Sequence, residues 1–116
     1  MKIAVTGAAG YIGSHLCKFL YDKNCTVTAF DKNWQQNDIK DFANCRTWDI
    51  TEATYKQTFD VVIHLAAETK VSLSVENPII YHKTNIVGTQ NVLNTLKCDY
   101  FINASSSSAF QPWASP

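Results

Sequence analysis

The sequence is short of charge. Charged residues fill 17% of its 116 positions, against roughly 25% in an average soluble domain. With hydrophobic residues at 46%, that excludes a disordered or supercharged chain. Neither sign is in excess: 10 basic and 10 acidic residues leave a formal net charge of zero. No bulk field draws the chain to nucleic acid or to an acidic membrane surface, so neither partner is expected. Long apolar runs are missing too, and none approaches the ~18 residues of a spanning helix. The four cysteines, Cys17, Cys25, Cys45 and Cys98, form no C-x-x-C pair and no Cys/His cluster at zinc spacing, so no metal site is expected. Met1-Lys2-Ile3 opens no apolar leader with a small-residue cleavage site. The expectation is reduced thiols in a cytoplasmic protein. The length predicts one domain.

Apolar runs and amphipathic stretches alternate from the first residue. Lys2-Ile3-Ala4-Val5-Thr6, closed by Gly7, reads as a buried strand. Ile12, Leu16, Phe19 and Leu20 then recur at helical spacing and predict a helix over 11–22. Thr26-Val27-Thr28-Ala29-Phe30 reads as a second strand ending at Asp31, and 32–43 as a polar loop with room for a short helix. Arg46-Thr47-Trp48 is a third strand ending at Asp49, and Thr51 is placed to cap a short helix to about Thr58. Val61-Val62-Ile63-His64-Leu65 is the clearest strand of all. Asn77-Pro78 then marks the start of a helix running to about Lys97. Ile79, Ile86 and Leu93 form one of its two apolar stripes. A fifth strand covers 99–103, followed by four serines. Strict alternation predicts an α/β fold, a parallel sheet of about five strands with helices on both faces. Right-handed crossovers in a dinucleotide half-fold give the order 3-2-1-4-5.

Chemistry concentrates after the first strand. Gly7-Ala8-Ala9-Gly10-Tyr11-Ile12-Gly13 spaces its glycines G-x-x-G-x-x-G, with the strand before and amphipathic helix after that such a loop needs. Glycines let backbone approach a pyrophosphate, and the helix start offers free N–H groups and a positive dipole end. Asp31 follows Gly13 by 18 residues, close to the ~20 typical of the acidic residue that takes the ribose hydroxyls. A carboxylate there repels a 2′-phosphate, which favours NAD over NADP. The adjoining Lys32 softens that preference. His64 reads more readily as a satisfied strand histidine than as a catalyst.

In combination these residues resemble the extended short-chain dehydrogenase/reductases, the NAD-dependent nucleotide-sugar epimerases and dehydratases. Thr6 to Gly13 is similar to their nucleotide loop, which implies a Rossmann-like fold and cofactor contacts by Gly7, Ala9, Gly10, Tyr11, Ile12 and Gly13. Further segments agree in order. Asp49-Ile50 resembles the adenine-contacting pair, with Asp49 near the exocyclic amine. His64-Leu65-Ala66-Ala67 resembles the stretch running past the cofactor, which implies contacts by Leu65, Ala66 and Ala67. Thr84-Asn85-Ile86-Val87-Gly88-Thr89 resembles the following helix, with Asn85 matching a family asparagine. Ala104-Ser105-Ser106-Ser107-Ser108 resembles the fifth-strand end that carries a catalytic serine, best matched by Ser106.

The resemblance also has gaps. The family's serine or threonine works with Tyr-x-x-x-Lys, a tyrosine acid/base tuned by lysine. Here Tyr11, Tyr21, Tyr55, Tyr81 and Tyr100 are followed four residues later by His15, Cys25, Phe59, Asn85 and Ala104. Ser107 and Ser108 replace the Asp-Glu of the dehydratases, and Ala109-Phe110-Gln111 replaces the usual Val-Tyr-Gly. The reading is a single truncated NAD(P)-binding Rossmann domain over 1–116, with the substrate domain absent. Three functions follow from it: an NAD-binding module without catalysis of its own, an enzyme completed by a homo-oligomer or partner chain, or an interaction protein keeping only the fold. A homo-oligomer through the 78–97 helix or the fifth-strand edge is expected, with Ile79, Ile86 and Leu93 as contacts.

Overall fold

The computed structural model describes residues 1–34, 39–52, 56–66, 79 and 83–104. Five strands make one parallel sheet: β1 (Lys2–Thr6), β2 (Thr26–Asp31), β3 (Asn44–Thr47), β5 (Val61–His64) and β7 (Tyr100–Asn103). Their spatial order is β3-β2-β1-β5-β7, which is the expected 3-2-1-4-5 among the sheet's own strands. The register is continuous through the centre, with Val5 beside Ala29 on one side and Ile63 on the other.

Alternation of side chains along these strands divides the core in two. Ile3, Val5, Val27 and Ala29 point to one face and meet Cys17, Leu16 and Leu20 of α1 (Tyr11–Asp22). Ala4, Phe30 and Val62 point to the other and meet Val92 of α2 (Gly88–Thr95) and Leu96. Helices therefore cover both faces, as parallel sheets require. Burial of Val62 and Val92 is complete, worth about 1.5–3 kcal/mol for each side chain. On the α1 face, burial pushes the Cys17 thiol up to about 12, with Cys45 adding to the effect. All four cysteines are free.

Several boundaries differ from the sequence reading. The inward stripe of α1 is Gly13 and Cys17, buried, with Leu16 and Leu20 partly buried beside them, while Ile12 and Phe19 are exposed. The third strand begins at Asn44, and Trp48 leaves the ladder. Its ring packs edge-on against Phe30 at 5.5 Å, and its Nε1–H donates to the Glu52 carbonyl at 3.0 Å. Asp49, rather than Thr51, caps the turn that follows. Its Oδ1 accepts from the Thr51 N–H at 2.9 Å and hydroxyl at 2.7 Å. Gln57–Thr58 is a short strand, β4, not the end of a helix. It pairs in parallel with β6 (Leu96–Lys97). That pairing ends α2 at Thr95, where Leu96 turns to extended backbone (φ −99°, ψ 95°). A wider π-helical turn, Lys83–Val87, precedes α2. The Asn77-Pro78 helix start lies outside the described residues.

Candidate dinucleotide-binding site

The strand order reverses between β1 and β5, so the loops leaving their carboxyl ends diverge. A crevice at that point is where open α/β sheets bind ligands. Here it holds a cleft of about 250 Å³. The lining comes from four strand exits: Gly7 and Gly10 after β1, Phe30, Asp31 and Lys32 at β2, Trp48, Asp49 and Ile50 after β3, and Leu65 and Ala66 after β5. Thr84 of the π-helical turn closes one side.

Gly7 makes the crevice possible for two reasons. Its φ is +71°, and a Cβ there would stand 2.7 Å from the Ala66 nitrogen. A side chain would be strained and would also push the β5 exit away. Gly13 lets α1 sit on the loop, since a Cβ would overlap the Gly7 carbonyl and Ala8. Gly10 is the N-cap of α1; no side chain caps the helix and no acidic residue sits in its first turn. The first internal bond runs from the Ser14 N–H to the Gly10 carbonyl at 2.9 Å. The N–H groups of the opening turn and the positive end of the helix dipole are thus left for an anion. Tyr11 and Ile12 stand exposed at this end.

Asp31 ties the loop to the sheet. Its Oδ2 accepts from the Ala9 N–H at 3.0 Å and its Oδ1 from the Asn33 N–H at 3.1 Å. An ionised carboxylate has about four acceptor positions, so capacity for hydroxyl donors remains beside the cleft. Across the crevice, the Thr51 hydrogen bonds hold the Asp49 carboxyl below its usual range, with Lys32 and Lys83 contributing. Asp49 is an anionic acceptor on this wall.

The β5 side is held by a chain of hydrogen bonds. Thr6 Oγ1 accepts from the N–H groups of Leu65 at 3.1 Å and Ala66 at 3.2 Å, and lies 2.6 Å from His64 Nδ1. His64 Nε2 lies 3.0 Å from Thr89 Oγ1, which donates to the Asn85 carbonyl at 2.8 Å. His64 is buried, and desolvation pushes its pKa down to about 4. It is the satisfied strand histidine of the sequence reading. Asn85 takes part through its backbone and does not line the cleft. Ala67 and Ser106 lie outside the described residues. Among the described residues, no group of three or more metal-binding side chains occurs.

Sequence reasoning missed Phe30, Trp48 and Thr84 on the lining, and Thr6, Thr89 and Asn91 behind it. Trp48 was hidden by its assignment to a strand. Thr6, Thr89 and Asn91 act across separations of 25 to 60 residues, which no local pattern displays.

The family model for the NAD dependent epimerase/dehydratase family matches residues 3–116. The chain belongs to that family. A putative UDP-glucose 4-epimerase of Methanocaldococcus jannaschii is 37% identical over 117 aligned residues, covering 92% of this chain and 38% of the relative. A crystal structure of UDP-galactose 4-epimerase superposes with a TM-score of 0.76 at 35% identity, covering 92% of this chain and 39% of that one. The UDP-glucose-4-epimerase of Stenotrophomonas maltophila, solved with bound NAD and formylated UDP-arabinopyranose, gives 0.80 at 25% identity, with 95% and 38% covered. This family member thus spans under two fifths of the length of these relatives, and it matches their Rossmann-like part. The residues present fit an adenine dinucleotide: a glycine cradle, an uncapped helix start and two carboxylates at the strand exits.

Proposed function

We propose that this chain binds NAD through the cleft at the β1/β5 divergence and does not interconvert sugars by itself. The observation that carries the reading is the uncapped start of α1 at Gly10, on a cleft that Asp31 also lines. The pyrophosphate meets the opening N–H groups of α1, and the adenosine ribose meets Asp31. Asp49 accepts from the adenine amine. About 250 Å³ falls short of the roughly 300–1,000 Å³ of whole small-molecule pockets, which suits the adenosine half. A 2′-phosphate beside the Asp31 carboxylate is repelled, so NADP binds less tightly.

Binding without turnover by these residues alone is supported by the sequence, in which none of the five tyrosines is followed four residues later by lysine. One observation favours a second reading, an enzyme completed by another copy or a partner chain. Ile86 in the π-helical turn is 51% exposed, and Leu93 on α2 is 47% exposed. Calorimetry with NAD and NADP, followed by incubation with UDP-glucose and NAD, tests the cofactor reading and completion by another copy. Saturable binding of NAD, weaker binding of NADP and no UDP-galactose are expected. No heat with NAD overturns the cofactor reading and leaves only a fold-retaining interaction protein. Turnover by the purified chain overturns the binding-only reading.

A further inference from the structure

The wall of the cleft formed by Asp49 and Ile50 belongs to a loop, yet two contacts from α2 fix where it stands. Asn91 Nδ2 donates to the Ile50 carbonyl at 2.9 Å. Three residues earlier on the same helix, Gly88 is buried directly against the Ile50 side chain. A Cβ at Gly88 would stand 2.7 Å from Ile50 Cδ1 and 2.8 Å from Cγ1. Residues three apart share a helix face, so the donor and the missing side chain act on one target. Thr84, one turn back in the π-helical segment, lines the same cleft.

We propose that Gly88 and Asn91 are positioning residues that set the depth of the adenine side of the cleft through Ile50. The glycines of the nucleotide loop offer a contrast. At Gly7 and Gly13 an added Cβ meets backbone, which cannot yield cheaply. At Gly88 it meets the end of a side chain that can rotate or shift. Ile50 is buried in the core cluster that holds Phe30, Trp48 and Val92, and it also lines the cleft. A methyl group at position 88 therefore displaces Ile50 toward the open space. Asn91 does the complementary work by holding the backbone of the same residue. Neither residue touches the cleft itself, so their effect on a ligand passes through Ile50.

This inference rests on the dinucleotide reading above, and the test separates the two. Gly88→Ala, Asn91→Ala and the double variant Gly88→Ala/Ile50→Val are compared with wild type. Affinities for AMP and NAD are read by calorimetry, and amide exchange over 48–52 is read by NMR without nucleotide. Overpacking of a methyl group is expected to cost Gly88→Ala on the order of tenfold in AMP and NAD affinity. Trimming Ile50 to valine removes Cδ1 and leaves a shorter side chain that can turn Cγ1 aside, so the double variant recovers to within about threefold of wild type. Asn91→Ala speeds exchange over 49–52 while exchange in β1 stays unchanged. Wild-type affinity in Gly88→Ala, or a double variant that regains thermal stability without regaining AMP affinity, overturns the proposal. If wild type binds neither nucleotide, the dinucleotide reading fails. The positioning role is then judged on exchange alone, and unchanged exchange over 48–52 in both single variants overturns it.

Discussion

His64 carries its proton on Nε2. Thr6 Oγ1 already accepts from two backbone N–H groups, so its own proton goes to Nδ1, and Nε2–H donates to Thr89. A second proton on the ring would face the Thr6 oxygen and break this order. Because the folded-state pKa is depressed to about 4 from the ordinary 6.5, the unfolded chain binds more protons between those values. Stability is full above pH 6.5, falls as pH drops through the window and levels below about 4. The His64 share of the loss is about 2 kcal/mol by pH 5. Urea midpoints at pH 7.5 and pH 5 measure it. His64→Asn removes this titration, and an equal pH drop in both proteins would show that other groups carry it. The sequence placed His64 on a strand, but its partners lie 58 and 25 residues away, so its satisfaction was invisible there.

At the scale of elements, the loop between β1 and α1 divides stability from binding. Gly7 needs a positive φ and has the Ala66 backbone against it, whereas Gly10 has φ −73° and only the Gly7 carbonyl at 3.4 Å from an added Cβ. Gly7→Ala is expected to cost more than about 2 kcal/mol and to lower the melting temperature sharply. Gly10→Ala keeps the melting temperature near wild type but weakens NAD binding, because its methyl group occupies the anion's approach. Thermal denaturation and calorimetry on both variants check the division; equal melting temperatures would refute it. This loop was legible from spacing and context alone. The ends of α2 and β3 were not. A helix running to about Lys97 includes Leu96, whose burial is spent instead in a two-residue strand pair with Gln57–Thr58. Trp48 looked like a strand residue, and aromatic packing on Phe30 took it out of the ladder.

For the whole molecule, strand order was readable because handed crossovers leave few topologies. What covers the outer surfaces was not readable, since an apolar stripe does not name its partner. The described residues leave Ile86 and Leu93 exposed on the helix, and Tyr100 and Ile102 exposed on β7, which pairs with β5 alone among them. Apolar surface and a strand edge of this kind favour association. The chain is expected to form a homo-oligomer at high micromolar concentration, and Ile86→Lys/Leu93→Lys to shift it to monomer without loss of NAD affinity. Light scattering on both proteins tests this, and a monomeric wild type would contradict it.

The two N–H groups held by Asp31 bear on any attempt to redesign cofactor choice. Removing the carboxylate to admit a 2′-phosphate also removes the acceptors of Ala9 and Asn33. An asparagine returns only one acceptor oxygen. An exchange of charge at Asp31 therefore also disturbs the junction between the loop and β2.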